Sequence, residues 1–563
     1  VSAQLLDEPN HPELNWEVLE TPHFKVYYHQ GLGGFARRAA GVAEQVFGPV
    51  TELYRFVPDN KVRMILKDTD DYANGAAYYY HNTIEIWASS LDFELRGSTD
   101  WLSNVVTHEL SHIISLQTAR KTSARIPAIY FHVLGYQSEG RREDILTGYP
   151  NILASYAVPT IQVPPWYAEG TAQYMAKGAH HDNWDSHRDM ILRVATLNGS
   201  LLSYDEMSVF GAKSGLGLEK VYDHGYSLVL HIVNNFGDAK LREIYRNTAT
   251  WWRTDFGGAV QEALGISMRE LHGRWVASLE ERYRIQEARI GADSTASELI
   301  HSDGYFNLHP KWSPDGKRLA YLSNAASDFG RTNLYVFSQE DDTAKLGAPG
   351  VTSAFDWSPD GSSLLFSRRS PPERHGSRFR DLYTVDPSAT GEKPLHKVKE
   401  FVGLPQGERP GEVRLTHGLR GAHPSVSPDG TEVAFVKNAA GTTNLGVMDI
   451  RSKQVRFLTR FDDGTQIYTP RWSPQGESIA VSVFKEGRGR DIAVIDADGG
   501  DWSYVVASSG TDRDPCWTSD GTSLVFASDL EGIFDLYHIN LADGAIDRLT
   551  RVLGGAMQPD INP

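Results

Sequence analysis

Trp312-Ser313-Pro314-Asp315-Gly316 is a short motif that returns throughout the second half of the chain. The other copies occupy residues 357–361, 426–430, 472–476 and 517–521. Their first residues are 45, 69, 46 and 45 positions apart. Periods of about 40–50 residues that contain several short strands are typical of propeller blades. The sequence therefore predicts an all-β propeller, with an insertion in the long second interval that includes residues 370–376.

Each copy combines a tight turn with strands that alternate between apolar and polar residues. Proline fixes φ in the Pro-Asp-Gly turn, and glycine accepts positive φ. Residues 318–322 and 523–527 are two of the strands expected to follow the turns. These units resemble the TolB-like propeller repeat from about residue 299 to residue 563. A further copy begins near Gln558, so we expect about six blades, the last one incomplete, and either a longer natural chain or a fragment cut at this point.

The first half of the chain has a mixed α+β pattern. Residues 24–28 and 62–66 alternate as strands, and residues 35–56 have helical spacing. We predict four segments: an α+β part at 1–98 with a substrate-side edge strand, a mostly helical catalytic part at 99–290, a linker at 291–298, and the propeller at 299–563.

Composition limits the class of protein. The formal net charge of −17 argues against a nucleic-acid partner, because phosphate binding needs clustered Lys and Arg. No apolar run approaches the roughly 18 residues of a membrane-spanning helix. Cys516 is the only cysteine, which excludes an intrachain disulfide and a cysteine-based metal site. This composition suits a periplasmic or secreted protein, and the first residue, Val1, suggests a processed or trimmed chain.

His108-Glu109-Leu110-Ser111-His112 lies within a stretch of helical apolar spacing. Positions i and i+4 share one helix face, so His108 and His112 can bind one metal ion. Zn²⁺ accepts imidazole and carboxylate ligands and keeps one position for water, whose proton Glu109 can take as general base. The alternative is a surface helix with two solvated histidines.

A second helical segment begins at Pro165-Trp166 and contains Glu169, 57 residues after His112. This pairing resembles the gluzincin metallopeptidases, and the Pro-x-Trp-x-x-Glu-Gly form resembles their peptidase MA-like branch. The resemblance implies an α+β, thermolysin-like domain in which Glu169 is the third zinc ligand. The alternative for Glu169 is an ordinary carboxylate favoured by a helix N-terminus.

The same resemblance assigns a role to Tyr222, in Tyr222-Asp223-His224-Gly225. Gluzincin aminopeptidases have a Tyr-x-x-Gly segment whose hydroxyl stabilises the oxyanion, so Tyr222 is the expected donor. Tyr226 and His224 are rivals for this role, and a tyrosine that only packs against a core helix is the structural alternative.

Substrate binding is expected at an edge strand. By the resemblance, residues 83–88 would form that strand and would pair with an extended peptide, with Gly75 and Ala76 at its entrance. The Gly-Ala-Met-Glu-Asn motif that anchors a free amino terminus is absent. Endopeptidase activity is therefore expected rather than aminopeptidase activity.

Two hypotheses follow for function. The first is a zinc peptidase that acts on peptides or proteins, with a propeller that docks or gates substrate. The alternative is a TolB-like binding protein with a peptidase-like scaffold and a protein partner at the propeller. A second metal site at His180, His181 and His187 is a weaker hypothesis, and the absence of a Gly-x-Ser-x-Gly elbow counts against a serine hydrolase.

Overall fold

The chain folds into two compact units. The computed structural model describes residues 11–97, 100–122, 129–135, 151–158, 161–175, 178–210, 215–253, 255–325, 332–388, 411–500 and 502–563. The first unit comprises Val1–Asp68, Tyr72–Gln137 and Pro150–Gly291. The second comprises Thr69–Asp71, Ser138–Tyr149 and Ala292–Pro563. Among the described residues, no helix combines the length and apolar character needed to cross a membrane.

The first unit contains a five-stranded sheet. Its strands are β1 (Trp16–Glu20), β2 (Phe24–His29), β3 (Val62–Lys67), β4 (Gly75–Tyr78) and β5 (Thr83–Trp87), in the order β1-β2-β3-β5-β4. β5 is parallel to β3 and antiparallel to β4, so both of its edges are paired. The prediction that residues 83–88 form the edge strand is therefore wrong. The edge is β4, because the chain turns back after Tyr78 and β5 enters the sheet between β4 and β3.

Helices make up most of the remaining first unit. They are α1 (Gly33–Tyr54), α2 (Trp101–Thr118), α3 (Pro165–Tyr174), α4 (Ser186–Leu197), α5 (Tyr204–Met207), α6 (Gly215–Phe236), α7 (Ala239–Thr248), α8 (Phe256–Leu264) and α9 (Met268–Ile290). A hairpin of β6 (Ile129–Gly135) and β7 (Asn151–Val158) lies within this part of the sequence. The helical pattern did not indicate this hairpin.

Helix α2 is buried on nearly every side, although it carries several hydroxyl residues. Thr107 and Ser111 are at most 1% exposed, and each donates its hydroxyl hydrogen to the carbonyl oxygen four residues earlier, at 2.7 and 2.8 Å. Such bonds satisfy a buried hydroxyl inside its own helix. The helix can therefore carry polar residues inside the unit while the hydroxyl groups of Thr107 and Ser111 remain hydrogen-bonded.

The second unit is a propeller of five four-stranded antiparallel sheets. The blades are β8 (Asn307–Trp312), β9 (Arg318–Ser323), β10 (Asn333–Ser338) and β11 (Thr343–Ala348); β12 (Asp356–Trp357), β13 (Leu364–Arg369), β14 (Arg380–Val385) and β15 (Glu412–Arg414); β16 (Gly421–Val426), β17 (Glu432–Ala439), β18 (Thr442–Asp449) and β19 (Val455–Phe457); β20 (Gln466–Trp472), β21 (Ser478–Lys485), β22 (Gly489–Asp496) and β23 (Trp502–Val506); and β24 (Asp512–Trp517), β25 (Ser523–Ser528), β26 (Asp535–Asn540) and β27 (Ile546–Arg548). Residues 370–376 lie in the loop between β13 and β14, and most of the remaining extra length of the second interval lies outside the described residues.

The expectation of about six blades is corrected to five. The segment after β27 forms no strand. Instead, the Gln558 side chain accepts a hydrogen bond from the backbone N–H of His309 at 2.7 Å, and the Asp560 carboxylate accepts one from Trp312 at 2.8 Å. The last copy of the motif thus lies beside β8 and bonds to it through side chains rather than through a strand ladder.

The repeated tryptophans join neighbouring blades. The indole N–H groups of Trp357, Trp472 and Trp517 donate to the carbonyl oxygens of Lys311, Ser425 and Arg471, at 3.1, 3.0 and 2.9 Å. Each acceptor residue immediately precedes the first residue of the previous copy of the motif. Equal spacing along the sequence therefore corresponds to equivalent contacts between blades.

The innermost strands share a second feature. The residue three positions before the first residue of the motif has positive φ in four of the five copies, at His309, His423, Thr469 and Asp514. Gln558, in the further copy near residue 560, also has positive φ. In four blades the strand register shifts at this position. A β-bulge of this kind bends the strand, and its repetition identifies it as part of the blade geometry.

Candidate metal centre

Three side chains from two helices converge in the first unit. Nε2 of His112 lies 3.1 Å from Nε2 of His108 and 3.2 Å from Oε2 of Glu169, and His108 lies 3.3 Å from the same oxygen. His112 and Glu169 are buried, and His108 is partly exposed. Among the residues that the structure describes, this is the one group of three or more potential ligands that converges in this way.

The spacing of these atoms fits a tetrahedral metal ion. Ligands at about 2.0–2.1 Å from Zn²⁺ stand about 3.3–3.4 Å apart along the edge of a tetrahedron. The observed separations are 3.1–3.3 Å. One proton can bridge only one pair of these atoms, whereas a cation between them can bind all three lone pairs. The donor set, two imidazoles and one carboxylate, is also one that zinc accepts.

Helix α3 holds Glu169 in place. Pro165 occupies its first turn, where a missing N–H costs nothing. Trp166 and Tyr167 are fully buried, and the Tyr167 hydroxyl donates to the Leu241 carbonyl at 2.8 Å. The Thr171 hydroxyl lies 2.7 Å from the Tyr245 hydroxyl. Glu169 therefore projects from a helix that is fixed on its other faces.

Helices α3 and α6 meet at two glycines. A Cβ on Gly170 would lie 2.4 Å from the Gly225 carbonyl oxygen, and a Cβ on Gly225 would lie 2.3 Å from the carbonyl oxygen of Trp166. No larger residue fits without moving backbone. Tyr222 lies three residues before Gly225 on α6. It therefore belongs to a helix that packs directly against α3, which carries Glu169.

Glu109 lies beneath the edge strand. A Cβ on Gly75, the first residue of β4, would lie 2.6 Å from a Glu109 carboxylate oxygen and 2.4 Å from a methyl carbon of Val105. Burial raises the pKa of the Glu109 carboxyl, and the neighbouring imidazoles of His108 and His112 oppose that rise. A carboxylate with a raised pKa is a stronger base, which suits proton abstraction near neutral pH.

His112 and Glu169 shift each other's pKa. Burial acts to raise the pKa of the Glu169 carboxyl, but the charges and hydrogen bonds of His112 and His108 together hold it well below its usual value. Burial acts to lower the pKa of His112, and Glu169 more than reverses that effect. The carboxylate is therefore ionised, which is the form that binds a metal ion.

The three candidates for the oxyanion donor have different surroundings. His224 is fully buried, 5.8 Å from the Trp275 ring of α9, and burial lowers its pKa to about 3. Tyr226 is 3% exposed beside Trp184, and burial raises its pKa. Tyr222 alone among the three is half-buried rather than buried.

Within the part of the chain that the structure describes, His180, His181 and His187 do not form a second group of converging metal ligands. His187 is buried at the start of α4, 3.7 Å from Asp185, whose carboxylate accepts the backbone N–H groups that begin the helix. Asp182 instead pairs with Arg188 through two bonds of 2.8 and 2.9 Å. These carboxylates cap a helix and neutralise a buried arginine.

Sequence reasoning missed the residues that set close approach and orientation. The sequence predicts Gly75 only as part of an entrance and Gly225 only as part of a motif. No local pattern indicates Arg96, which contacts the Tyr222 ring, or Glu219, which binds Arg96 from the same helix as Tyr222. A glycine in the middle of the apolar helix α6 was the available signal, because glycine there lowers helix stability unless packing requires it.

Comparison with known proteins identifies part of the chain. The family model for the TolB beta propeller domain matches residues 420–563. A TolB homologue of Chlorobium luteolum is 31% identical over 121 residues, which are 22% of this chain and 27% of that protein. Dipeptidyl-peptidase 5 of Porphyromonas gingivalis is 24% identical over 298 residues, 46% of this chain and 43% of that protein.

Among solved structures, TolB from Acinetobacter baumannii matches with a TM-score of 0.37 and 21% identity, over 47% of this chain and 60% of that one. The chain thus spans less than half the length of either of these two curated relatives. The family match does not reach the first unit, so the gluzincin resemblance stays a prediction there. The second unit is a TolB-like β-propeller, and it follows an N-terminal α+β region.

Proposed function

We propose that the first unit is a zinc-dependent peptidase that hydrolyses peptide bonds in peptides or proteins. One observation carries the proposal: the candidate ligand atoms of His108, His112 and Glu169 are 3.1–3.3 Å apart, close to the edge of about 3.3–3.4 Å of a tetrahedral zinc site. A zinc ion held there supplies a Lewis acid that polarises the scissile carbonyl and makes water more acidic.

Glu109 acts as general base in this proposal. It follows His108 directly on α2, and its carboxylate is 7% exposed with a raised pKa. It takes the proton of the attacking water and returns it to the leaving amine. Tyr222 donates a hydrogen bond to the carbonyl oxygen as negative charge develops on it.

The edge strand β4 supplies the substrate surface. It lies at the end of the sheet, and its first residue, Gly75, meets the Glu109 carboxylate. An extended peptide that pairs with β4 would run past the general base, with affinity from backbone bonds and little sequence preference. The proposal favours endopeptidase action, because this mode needs no free amino terminus.

The test combines metal analysis with turnover. Purified protein with zinc added and excess removed should contain about one zinc per chain, and His112→Ala should lose it. Glu109→Gln should keep zinc and lose about 10²-fold or more in hydrolysis of a denatured protein substrate. Glu432→Gln in the propeller is the matched control and should keep full activity. Zinc-free wild type, or equal turnover by Glu109→Gln, contradicts the proposal.

The TolB-like match of residues 420–563 favours a second candidate function, a protein that binds another protein through its propeller. On that hypothesis the first unit is a scaffold, and the protein has no turnover even with zinc bound. Pull-down of the same partner by wild type and by Glu109→Gln, without hydrolysis by either, would support this candidate. A periplasmic or secreted location is part of both proposals and is supported by the TolB-like match.

A further inference from the structure

The ring of Tyr222 contacts a guanidinium group and a second aromatic ring. The guanidinium carbon of Arg96 lies 4.5 Å from the ring centroid. Phe210 also stacks against the Tyr222 ring, with centroids 5.7 Å apart and planes 30° apart. A cation over an aromatic face is attracted to it electrostatically, and the planar guanidinium also stacks. These contacts restrict rotation of the Tyr222 ring and so fix the direction of its hydroxyl.

Arg96 is itself fixed by the helix that carries Tyr222. Its Nε lies 2.5 Å from one oxygen of Glu219, and a second guanidinium nitrogen lies 3.1 Å from the other. Glu219 stands three residues before Tyr222 on α6, so both are on one face of the helix. The Glu219 side chain is 6% exposed. A two-point bond to a buried carboxylate defines the guanidinium plane as well as its position.

The backbone beside Arg96 is also constrained. A Cβ on Gly97 would lie 2.8 Å from the carboxylate carbon of Asp185, so this turn is pressed against the start of α4. Asp185 in turn accepts the backbone N–H groups of His187 and Arg188. The turn that carries Arg96 is therefore anchored at both its backbone and its side chain.

We propose that Arg96 is a positioning residue that orients the Tyr222 hydroxyl for the developing negative charge. The inference rests on the proposed peptidase function. A hydrogen-bond donor aids catalysis most when its direction is set before the reaction, because no reorganisation is then needed. Glu219 supports Arg96, and Phe210 packs against the same ring. Loss of Arg96 then weakens the chemical step more than substrate binding.

A double-mutant cycle tests this coupling. Tyr222→Phe should lower kcat by about 10²-fold, and Arg96→Ala by about 10-fold or more, with KM and zinc content little changed. Arg96→Lys keeps the charge but not the planar stack, so its kcat should lie between those of wild type and Arg96→Ala. The double variant should be within about twofold of Tyr222→Phe, because Arg96 acts through the hydroxyl. A further loss of about 10-fold in the double variant overturns the inference.

The propeller offers a matched control. Arg368 bonds to both oxygens of the buried Glu412 and lies 4.5 Å over the Tyr383 ring, the same arrangement in the second unit. Arg368→Ala removes a similar set of contacts and should leave kcat unchanged. An equal loss in Arg368→Ala would mean that general destabilisation explains the effect, which overturns the inference.

A second measurement does not require activity. In zinc-free protein labelled with 3-fluorotyrosine, the ¹⁹F signal that disappears in Tyr222→Phe belongs to this ring. Arg96→Ala should shift that signal and Arg368→Ala should not. An unshifted signal overturns the inference even in an active enzyme. An inactive zinc-bound wild type overturns the proposed function, and this inference with it.

Discussion

Gly75 is the residue at which β4 and the candidate general base come closest. Gly75→Ala would bring its Cβ within 2.6 Å of a Glu109 oxygen and 2.4 Å of Val105, so the carboxylate or the strand must move. We expect hydrolysis to fall by about 10-fold or more, since misplacement by about 1 Å has large effects on rate. Zinc content should not change, because the three ligands are on α2 and α3.

Gly273→Ala is the control for this substitution, because a Cβ at Gly273 meets nothing within 4 Å. It should keep full activity and raise stability by up to about 1 kcal/mol, as expected for alanine in a helix interior. Peptide hydrolysis by the two variants at equal zinc content is the measurement. Full activity in Gly75→Ala would show that β4 can shift without consequence for Glu109.

Asp560 gives the propeller a pH-dependent contact. Burial raises the pKa of this carboxyl to about 6, against the charge of Arg471 and a hydrogen bond from Trp312. Between about pH 4 and pH 6 the folded state keeps a proton that the unfolded state has released. Stability from this group is therefore present at low pH and is lost as pH rises through 6, by up to about 3 kcal/mol.

Asp560→Asn removes this titration and keeps a side-chain acceptor for Trp312. Relative to Asp560→Asn, the melting temperature of the wild-type propeller should fall between pH 4 and pH 7. Above pH 7 the difference between the two proteins should be constant. Asp547→Asn, at an exposed position, should parallel wild type throughout. A pH-independent difference between wild type and Asp560→Asn would contradict the raised pKa.

At the scale of elements, the α3–α6 contact determines whether the third ligand reaches the site. In Gly225→Ala the new Cβ would meet the Trp166 carbonyl oxygen at 2.3 Å, and backbone cannot rotate aside as a side chain can. We expect a loss of about 2–3 kcal/mol in stability from overpacking. Zinc affinity should fall as well, because α3 also carries Glu169. Thermal unfolding and zinc titration measure the two effects.

Gly41→Ala in α1 is the comparison, since its Cβ would meet nothing within 4 Å. It should leave zinc affinity unchanged and should not lower stability. If Gly225→Ala bound zinc as tightly as Gly41→Ala, the helix contact would not be what positions Glu169.

At the scale of the whole molecule, a bound metal should stabilise only the unit that contains its ligands. A ligand that binds the folded state raises its stability by about 2.7 kcal/mol at 100 times its dissociation constant. Calorimetry with zinc and then with a chelator should move the transition of the first unit and not that of the propeller. His112→Ala should abolish the shift, and Glu109→Gln should retain it. A shift of both transitions, or of neither, would contradict this expectation.

The sequence by itself determined the repeated parts of this protein and the local spacing of the candidate site. Five copies of one turn motif predicted the propeller, because each blade repeats the same local contacts with its neighbours. Helical spacing predicted that His108 and His112 share a face, which requires only the geometry of one helix. The family resemblance added Glu169, whose carboxylate in the structure faces both imidazoles.

Only the tertiary structure decided the strand order, the number of blades and the surroundings of Tyr222. The family resemblance predicted a strand at residues 83–88, but a strand prediction contains no information on whether that strand is paired on both edges. Arg96 and Glu219 are 123 residues apart in the sequence, and they meet at 2.5 Å because the fold packs a turn against α6. Side-chain contacts at such separation depend on packing between elements, and local periodicity does not encode that packing.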